Sequence, residues 1–332
     1  MVRKTTHTFS TASSPIPLNL DIYHPRPRGD GPRNGPAMLY FHGGGVVAMD
    51  RSLVPRHIVQ SCLKRGWPLV SADYEKLPNS TGMDIVRNIK EAYAFVREDL
   101  RRILYGEDGL WEEVLVGGIS AGAYLTFLAA NHLSPSPLAI LTYYGPGSCS
   151  HPFFTSSNII SPPRVEASEV SHLLSSTERT VGKTPPWLAF NPLSILESGD
   201  RNLEFAYPEV VEIDWRKHEG FLYPYFVQEN KMPELCSGAD IPLHDDLWTR
   251  DEFPDAVIIH GTDDDTVPFI LGEAVKNAIG DKARFFPVPG AGHSFDSGSF
   301  LGDPPLEIVE EAWRALDEIM ERKLGADHGL KN

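Results

Sequence analysis

Apolar and polar positions along this chain follow two periods. Apolar runs of five to seven residues recur at 37–42, 68–73, 114–119, 138–144, 256–260 and 283–288. Their length and their branched and aromatic content predict buried strands. Between several of them the period changes to three and four. From Asp84 onward, Ile85, Ile89, Ala92, Tyr93, Val96, Leu100 and Ile103 fall on one stripe, which predicts a helix with its apolar face on a core. Ala121 to His132 is apolar on every side and predicts a buried helix. Pro305 to Lys323 predicts a terminal amphipathic helix that packs on the sheet and brings the loop around His293 near it. Residues 5–23 predict an antiparallel edge hairpin, followed by a Pro/Gly/Arg-rich loop from Pro25 to Pro36. The end of the chain, Gly325 to Asn332, is expected to fray. Strands alternating with helices imply a mostly parallel sheet with helices on both faces.

One stretch breaks the alternation. Pro146 to Pro254 is too long for an ordinary loop. It carries Trp187, Phe190, Phe205, Tyr207, Trp215, Phe221, Tyr223, Tyr225, Phe226 and Trp248. Most of these aromatics are expected to form a small core of their own, because an ordered insertion must bury something. A minority are expected to line a pocket. His151, His172, His218 and His244 show no metal-ligand spacing and are read as structural or surface residues.

Chemistry concentrates at strand ends. Val114 to Ile119 runs into Gly118-Ile119-Ser120-Ala121-Gly122, a G-x-S-x-G sequence at a strand-to-helix turn. Alone, a serine there is also a favoured helix N-cap. On a tight turn its hydroxyl would instead stand above the sheet, and glycines would relieve crowding around it. A second run, His42-Gly43-Gly44-Gly45, follows the strand 37–41. Glycine N–H groups can approach a developing oxyanion because no side chain blocks them. Together the two runs read as the nucleophile and oxyanion site of a serine hydrolase.

Such a serine needs a histidine to take its proton and an acid to orient that histidine. Of 12 histidines, His293 stands out: the late strand 284–288 leads into Pro289-Gly290-Ala291-Gly292-His293, a loop expected to be flexible and exposed. The strand 256–260 leads into Gly261-Thr262-Asp263-Asp264-Asp265-Thr266-Val267-Pro268. Three adjacent acids could hold a metal. The reading adopted is one acid for the histidine, with the other two serving a turn and the cap of a helix starting near Val267.

These runs resemble the α/β-hydrolases, and among them the esterases related to hormone-sensitive lipase. The resemblance rests on HGGG, on Val70-Ser71-Ala72-Asp73-Tyr74-Glu75-Lys76-Leu77-Pro78, on GISAG, and on HGTDDDTVP with GAGH. It covers roughly residues 35–145 and 254–322. It implies an α/β-hydrolase fold, with core 1–145 and 254–332 and an inserted cap at 146–253. It also implies a Ser120, Asp264, His293 triad, since D-x-x-V-P singles out Asp264 and the chain order Ser, Asp, His suits this fold. The oxyanion donors are expected to be Gly43, Gly44 and Ala121, with no cofactor and no metal. The chain departs from the family at Ile119, where an acid is usual, at Glu75-Lys76 in place of an arginine, and at Asn79 in place of a glutamate. The N-terminal cap helices of many members are not expected, because strand-like sequence begins near His7. Kynurenine formamidase-like hydrolases, which share HGG, are also similar.

Composition fits that reading. The chain has 332 residues, 41% of them hydrophobic, enough for a sizeable core. A net charge of −15 disfavours nucleic acid and anionic membranes as partners. Cys62, Cys149 and Cys236 are far apart in sequence and form no disulfide framework. The first fifteen residues lack an apolar segment, so no signal peptide is expected, and no run is long enough to span a membrane. A cytoplasmic hydrolase of a small apolar or aromatic ester is expected. The alternatives are acyl transfer, cyclisation or product release in a biosynthetic pathway, and a binding protein on an inactive hydrolase. The sequence gives no oligomeric state.

Overall fold

Each expected strand forms, with ends shifted by a residue or so. They are β1 (Arg3–Ser10), β2 (Leu18–His24), β3 (Ala37–Phe41), β4 (Leu69–Ala72), β5 (Val114–Ile119), β6 (Ala139–Tyr143), β7 (Asp255–Gly261) and β8 (Ala283–Val288). The helices are α1 (Arg56–Arg65), α2 (Gly82–Tyr105), α3 (Ala121–His132), α4 (Ala167–Leu174), α5 (Leu222–Gln228), α6 (Met232–Leu235), α7 (Phe269–Ile279) and α8 (Glu307–His328). The structure is a computed structural model and describes residues 1–10, 16–26 and 35–328. The expected 25–36 loop lies largely outside the described residues, as do the part of the hairpin at 11–15 and the last four residues.

The strands make one sheet in the order β1-β2-β4-β3-β5-β6-β7-β8. β3 to β8 are parallel, and β2 and β1 complete the sheet antiparallel at one edge. Strand side chains alternate between faces. Leu39, Phe41, Val114, Val116, Ile140, Ala256 and Ile258 join a core with α2, α3 and α7. Met38, Tyr40, Leu115, Leu141, Tyr143, Val257 and Ile259 join a second core with α1 and α8. The inner strands β3 to β7 are therefore buried on both sides, which is why they read as nearly continuous apolar runs.

The α2 stripe behaves as expected: Ile85, Ile89, Ala92, Tyr93, Val96 and Leu100 are buried. Thr81 and Asp84 close its start with a reciprocal capping box. Two expectations fail. α8 continues to His328, so residues 325–328 are helical rather than frayed. α7 starts at Phe269, and its N-cap is Pro268 with no side-chain cap bond, so neither Asp263 nor Asp265 caps it. Their carboxylates instead accept from the neighbouring Thr262 and Thr266 hydroxyls. The cysteines bring a further surprise: Cys149 and Cys236, far apart in sequence, have sulfurs 3.4 Å apart, though all three thiols are free and buried.

Between β6 and β7 the chain forms α4, α5, α6 and short turns of 3-10 helix, with no strand beyond an isolated bridge between Ile195 and Arg201. Phe190, Phe226 and Trp248 are buried there.

The tightest packing lies where β5 turns into α3. A Cβ on Gly122 would sit 1.9 Å from the Phe41 carbonyl oxygen, and one on Gly118 would sit 2.3 Å from the Gly122 carbonyl oxygen. Both neighbours are backbone, which cannot swing away. Gly122→Ala is expected to cost about 3 kcal/mol, the upper end for overpacking. Gly106→Ala, at a helix C-cap with open space around it, is expected to cost about 1 kcal/mol for its left-handed backbone. Urea unfolding of the two variants checks the contrast; equal losses would contradict it.

Candidate active site

The parallel strands end on one side of the sheet, and the sequence-marked residues gather there. β3 lies between β4 and β5, where the direction of strand progression reverses. Loops leaving such a reversal open a crevice at the strands' carboxyl ends. The His42 loop leaves β3, Ser120 leaves β5, Asp264 leaves β7 and His293 follows β8.

Ser120 has φ 51° and ψ −119°, a conformation rare for a residue with a side chain. It occupies the N-cap position of α3, but its hydroxyl makes no cap bond. Instead Ser120 Oγ lies 3.0 Å from His293 Nε2. On the other side of that ring, His293 Nδ1 lies 2.8 Å from Asp264 Oδ2. The three residues thus form one hydrogen-bonded chain. The loop is more enclosed than expected: the His293 side chain is 15% exposed.

Asp264 is held from several sides. Its Oδ1 accepts from the backbone N–H groups of Thr266 and Val267, at 3.0 and 2.9 Å. Its Oδ2 also faces His260 Nε2 at 3.3 Å, and that nitrogen lies 2.8 Å from the Val267 carbonyl. An N–H on His260 Nε2 can serve both acceptors. Burial would raise the Asp264 pKa, but the hydrogen bonds from His260 and His293 and the charge of His293 outweigh it and lower it to about 2. Asp263 and Asp265 have no such partners.

The N–H groups of Gly43, Gly44 and Ala121 have no backbone or side-chain acceptor among the described residues. They are free to bind an anion beside Ser120. The loop that carries the first two is fixed from beneath. Tyr74 Oη donates to the His42 carbonyl at 2.9 Å, and its ring stacks on the His42 imidazole at 4.4 Å. His42 Nδ1 lies 2.6 Å from the Gly43 carbonyl, and His42 Nε2 accepts from Lys76 Nζ at 3.0 Å. Lys76 also donates to the Tyr74 carbonyl at 2.9 Å. Burial holds the Lys76 ammonium well below the usual lysine range, against the pull of Asp73 and Asp50. Lys76 Nζ also lies 3.2 Å from the centroid of the Tyr74 ring.

Sequence reasoning missed several of these supports. Tyr74 and Lys76 lie in the 70–78 run but carried no assigned role. His260, the last apolar-run residue before the acids, was read only as strand. Tyr144 packs edge-on against His293, with ring centroids 4.9 Å apart, and its hydroxyl bonds Asp296 Oδ1 at 2.6 Å. Asp296 Oδ2 in turn bonds buried His57 Nε2 at 2.7 Å. The H-S-F-D sequence at 293–296 was the available signal for Asp296. His151 and His218, read as structural, each accept a backbone N–H two residues on.

Ser120 opens on two cavities. The larger, about 590 Å³, is lined by Trp187, Phe190, Trp215, Tyr223, His293 and Arg56 among others. Four of the ten aromatics singled out from the sequence therefore line it. Among the described residues no three histidine, cysteine or acidic side chains are grouped to hold a metal ion.

With this geometry the solved structures can be compared. An α/β-hydrolase superfamily protein from Enterococcus faecalis matches with TM-score 0.65 and 17% identity, over 96% of this chain and 99% of that one. A hyperthermophilic esterase from Pyrobaculum calidifontis matches with TM-score 0.56 and 17% identity, over 97% and 84%. Esterase 2 of Thermogutta terrifontis, phosphonylated by sarin, matches with TM-score 0.52 and 18% identity, over 96% and 94%. The chain has the α/β-hydrolase fold. No family model matches it. In sequence it is similar to the non-reducing polyketide synthase mapC' of Penicillium brevicompactum, 26% identical over 334 residues, covering 91% of this chain. It is also similar to the synthase nvfA of Aspergillus novofumigatus, 28% identical over 151 residues, 43% of this chain. The chain spans 15% of the first of these proteins and 7% of the second.

Asp264 ties this site to stability. Its pKa in the folded chain lies below the ordinary 3.8, so it stabilises the fold at pH values above that and loses the effect as pH falls through about 2. The full contribution is about 2 kcal/mol, and about 1 kcal/mol of it is lost by pH 3. Urea unfolding of the protein and Asp264→Asn from pH 7 to pH 3 is expected to show the gap narrowing by that amount. A constant gap would contradict the assignment of the low pKa.

Proposed function

We propose that this protein is a serine hydrolase of the α/β-hydrolase fold that cleaves a carboxylic ester. One observation carries the reading: the Ser120–His293–Asp264 hydrogen-bonded chain stands beside three unengaged N–H groups. In the proposed reaction His293 Nε2 takes the Ser120 proton as Oγ attacks the ester carbonyl. Asp264 keeps the Nδ1–H tautomer in place and stabilises the imidazolium that forms. The oxyanion is received by Gly43, Gly44 and Ala121. His293 then protonates the leaving alcohol, and water, activated by the same histidine, hydrolyses the acyl-serine. No cofactor or metal enters this sequence. The esterase neighbours support the assignment by fold, and the phosphonylated Thermogutta esterase suggests the probe.

In this reading the residues between β6 and β7 act as a cap: Trp187, Phe190, Trp215 and Tyr223 wall the crevice, exclude competing water and orient the ester. The substrate is a small molecule, and the location is cytoplasmic. Among the described residues no helix is long and apolar enough to cross a membrane.

A second reading, release or transfer of an acyl group in a biosynthetic pathway, is favoured by the likeness to polyketide synthases. It uses the same acyl-serine and differs in the acyl donor, a thioester, or in the acceptor.

Ser120→Ala is expected to abolish labelling by a fluorophosphonate, read by intact mass, and to lower ester turnover by several orders of magnitude. Asp264→Asn is expected to lower turnover by about 10⁴-fold, with Asp263→Asn and Asp265→Asn far milder. Labelling of the alanine variant would refute Ser120 as nucleophile. A dead Asp265→Asn beside an active Asp264→Asn would move the acid by one residue.

A further inference from the structure

Two cavities of very different size meet at Ser120. The large one reaches His293, Ser294, Ser297 and Arg56. The small one lies on the Ala121 side, holds about 10 Å³, and is lined by Tyr124, Cys149, Phe154, Tyr223, Met232 and Val267. A volume of that size accommodates about one water-sized group, which is also about the size of a methyl. Its lining is apolar apart from the tyrosine hydroxyls and the Cys149 thiol. Like Gly45 and Ser120, Tyr223 lines both cavities, so its side chain stands at their junction. Its ring is wedged against the His42–Gly45 loop, so closely that a Cβ on Gly45 would fall 2.6 Å from Tyr223 Cβ.

The histidine decides which part of an ester enters which cavity. The leaving oxygen must receive the His293 proton, so the leaving group extends on the His293 side. His293 lines the large cavity and does not line the small one. The acyl chain is left with the small cavity.

We infer that the substrate is the acetate ester of a bulky aromatic alcohol or phenol, its acetyl methyl in the small cavity and its ring system in the large one. The inference rests on the serine hydrolase reading above. Trp187, Leu188 and Phe190 offer the ring system apolar walls, while Arg56, Ser294 and Ser297 offer polar contacts. About 590 Å³ is room for a polycyclic group. The reaction adds water across the acyl C–O bond, giving acetate and the free hydroxyl compound. The same geometry weighs against release of a large acyl group, because its chain would have to enter the small cavity.

Two ester series test this in the full chain. Across p-nitrophenyl acetate, propionate, butyrate and octanoate, kcat/KM is expected to fall roughly tenfold or more from acetate to butyrate, since each surplus methylene clashes. Between phenyl acetate and 2-naphthyl acetate, whose leaving groups are of similar acidity, the larger ester is expected to be the better substrate. A third pair, the acetyl and benzoyl thioesters of N-acetylcysteamine, is expected to favour acetyl. Tyr223→Ala joins the cavities and is expected to bring the acetate-to-butyrate ratio near one, whereas Tyr223→Phe keeps the order. Met232→Ala opens the small cavity independently. Butyrate or octanoate turned over as well as acetate, or benzoyl preferred to acetyl, would overturn the inference while Ser120-dependent labelling keeps the hydrolase reading intact. Loss of that labelling requirement would remove both.

Discussion

The contact that the rest of this site depends on is the near-touching of three backbone segments: the end of β3, the end of β5 and the first turn of α3. Gly122 meets the Phe41 carbonyl where no Cβ could stand, and Gly118 meets the Gly122 carbonyl in the same way. At the middle of the three residues between these glycines the chain turns with a positive φ, and that residue is Ser120. The strain at Ser120 follows from the packing around it and is held by it. The same closeness brings the His42–Gly45 loop, which continues from Phe41, alongside the Ala121 N–H. Ser120 and the neighbouring glycine loop are thus placed by one backbone junction, which Tyr74 and Lys76 brace through His42.

The junction was legible in the sequence because its causes are local. Glycines at fixed offsets, apolar runs before them and an apolar helix after them all lie within a few residues of Ser120. The inner strands were legible for a related reason: where the sheet is covered on both faces its strands are largely apolar. His293 and Asp264 were legible through the strand ends that carry them, with Asp264 chosen among three acids by resemblance. The structure supplies the physical difference between the three. Asp264 has two backbone N–H groups and two histidines directed at it, while its neighbours face solvent and adjacent threonines.

What was not legible are the contacts between residues distant in sequence. Lys76 under His42, Asp296 joining His57 to Tyr144, and the meeting of Cys149 with Cys236 depend on topology, and no spacing rule announces them. The expected cap for α7 failed for a different reason. Acids before a helix usually suggest caps, but Pro268 delays the helix start, and Asp264 spends its Oδ1 on closing the loop instead. The end of α8 was misjudged because the chain terminus was taken to fray, while the helix continues past Gly325.

The division of labour between the sheet and the β6–β7 segment follows from these constraints. The sheet ends hold Ser120, Asp264 and His293, with Tyr74 packed against the His42–Gly45 loop and Tyr144 against the His293 ring. The segment between β6 and β7, with few regular elements, supplies the walls. Its residue Tyr223 is the point where the two systems meet, since its ring packs against Gly45 and it lines both cavities beside Ser120. On the proposed hydrolase reading, a change in that segment alters which ester fits without disturbing the hydrogen bonds that join Ser120, His293 and Asp264.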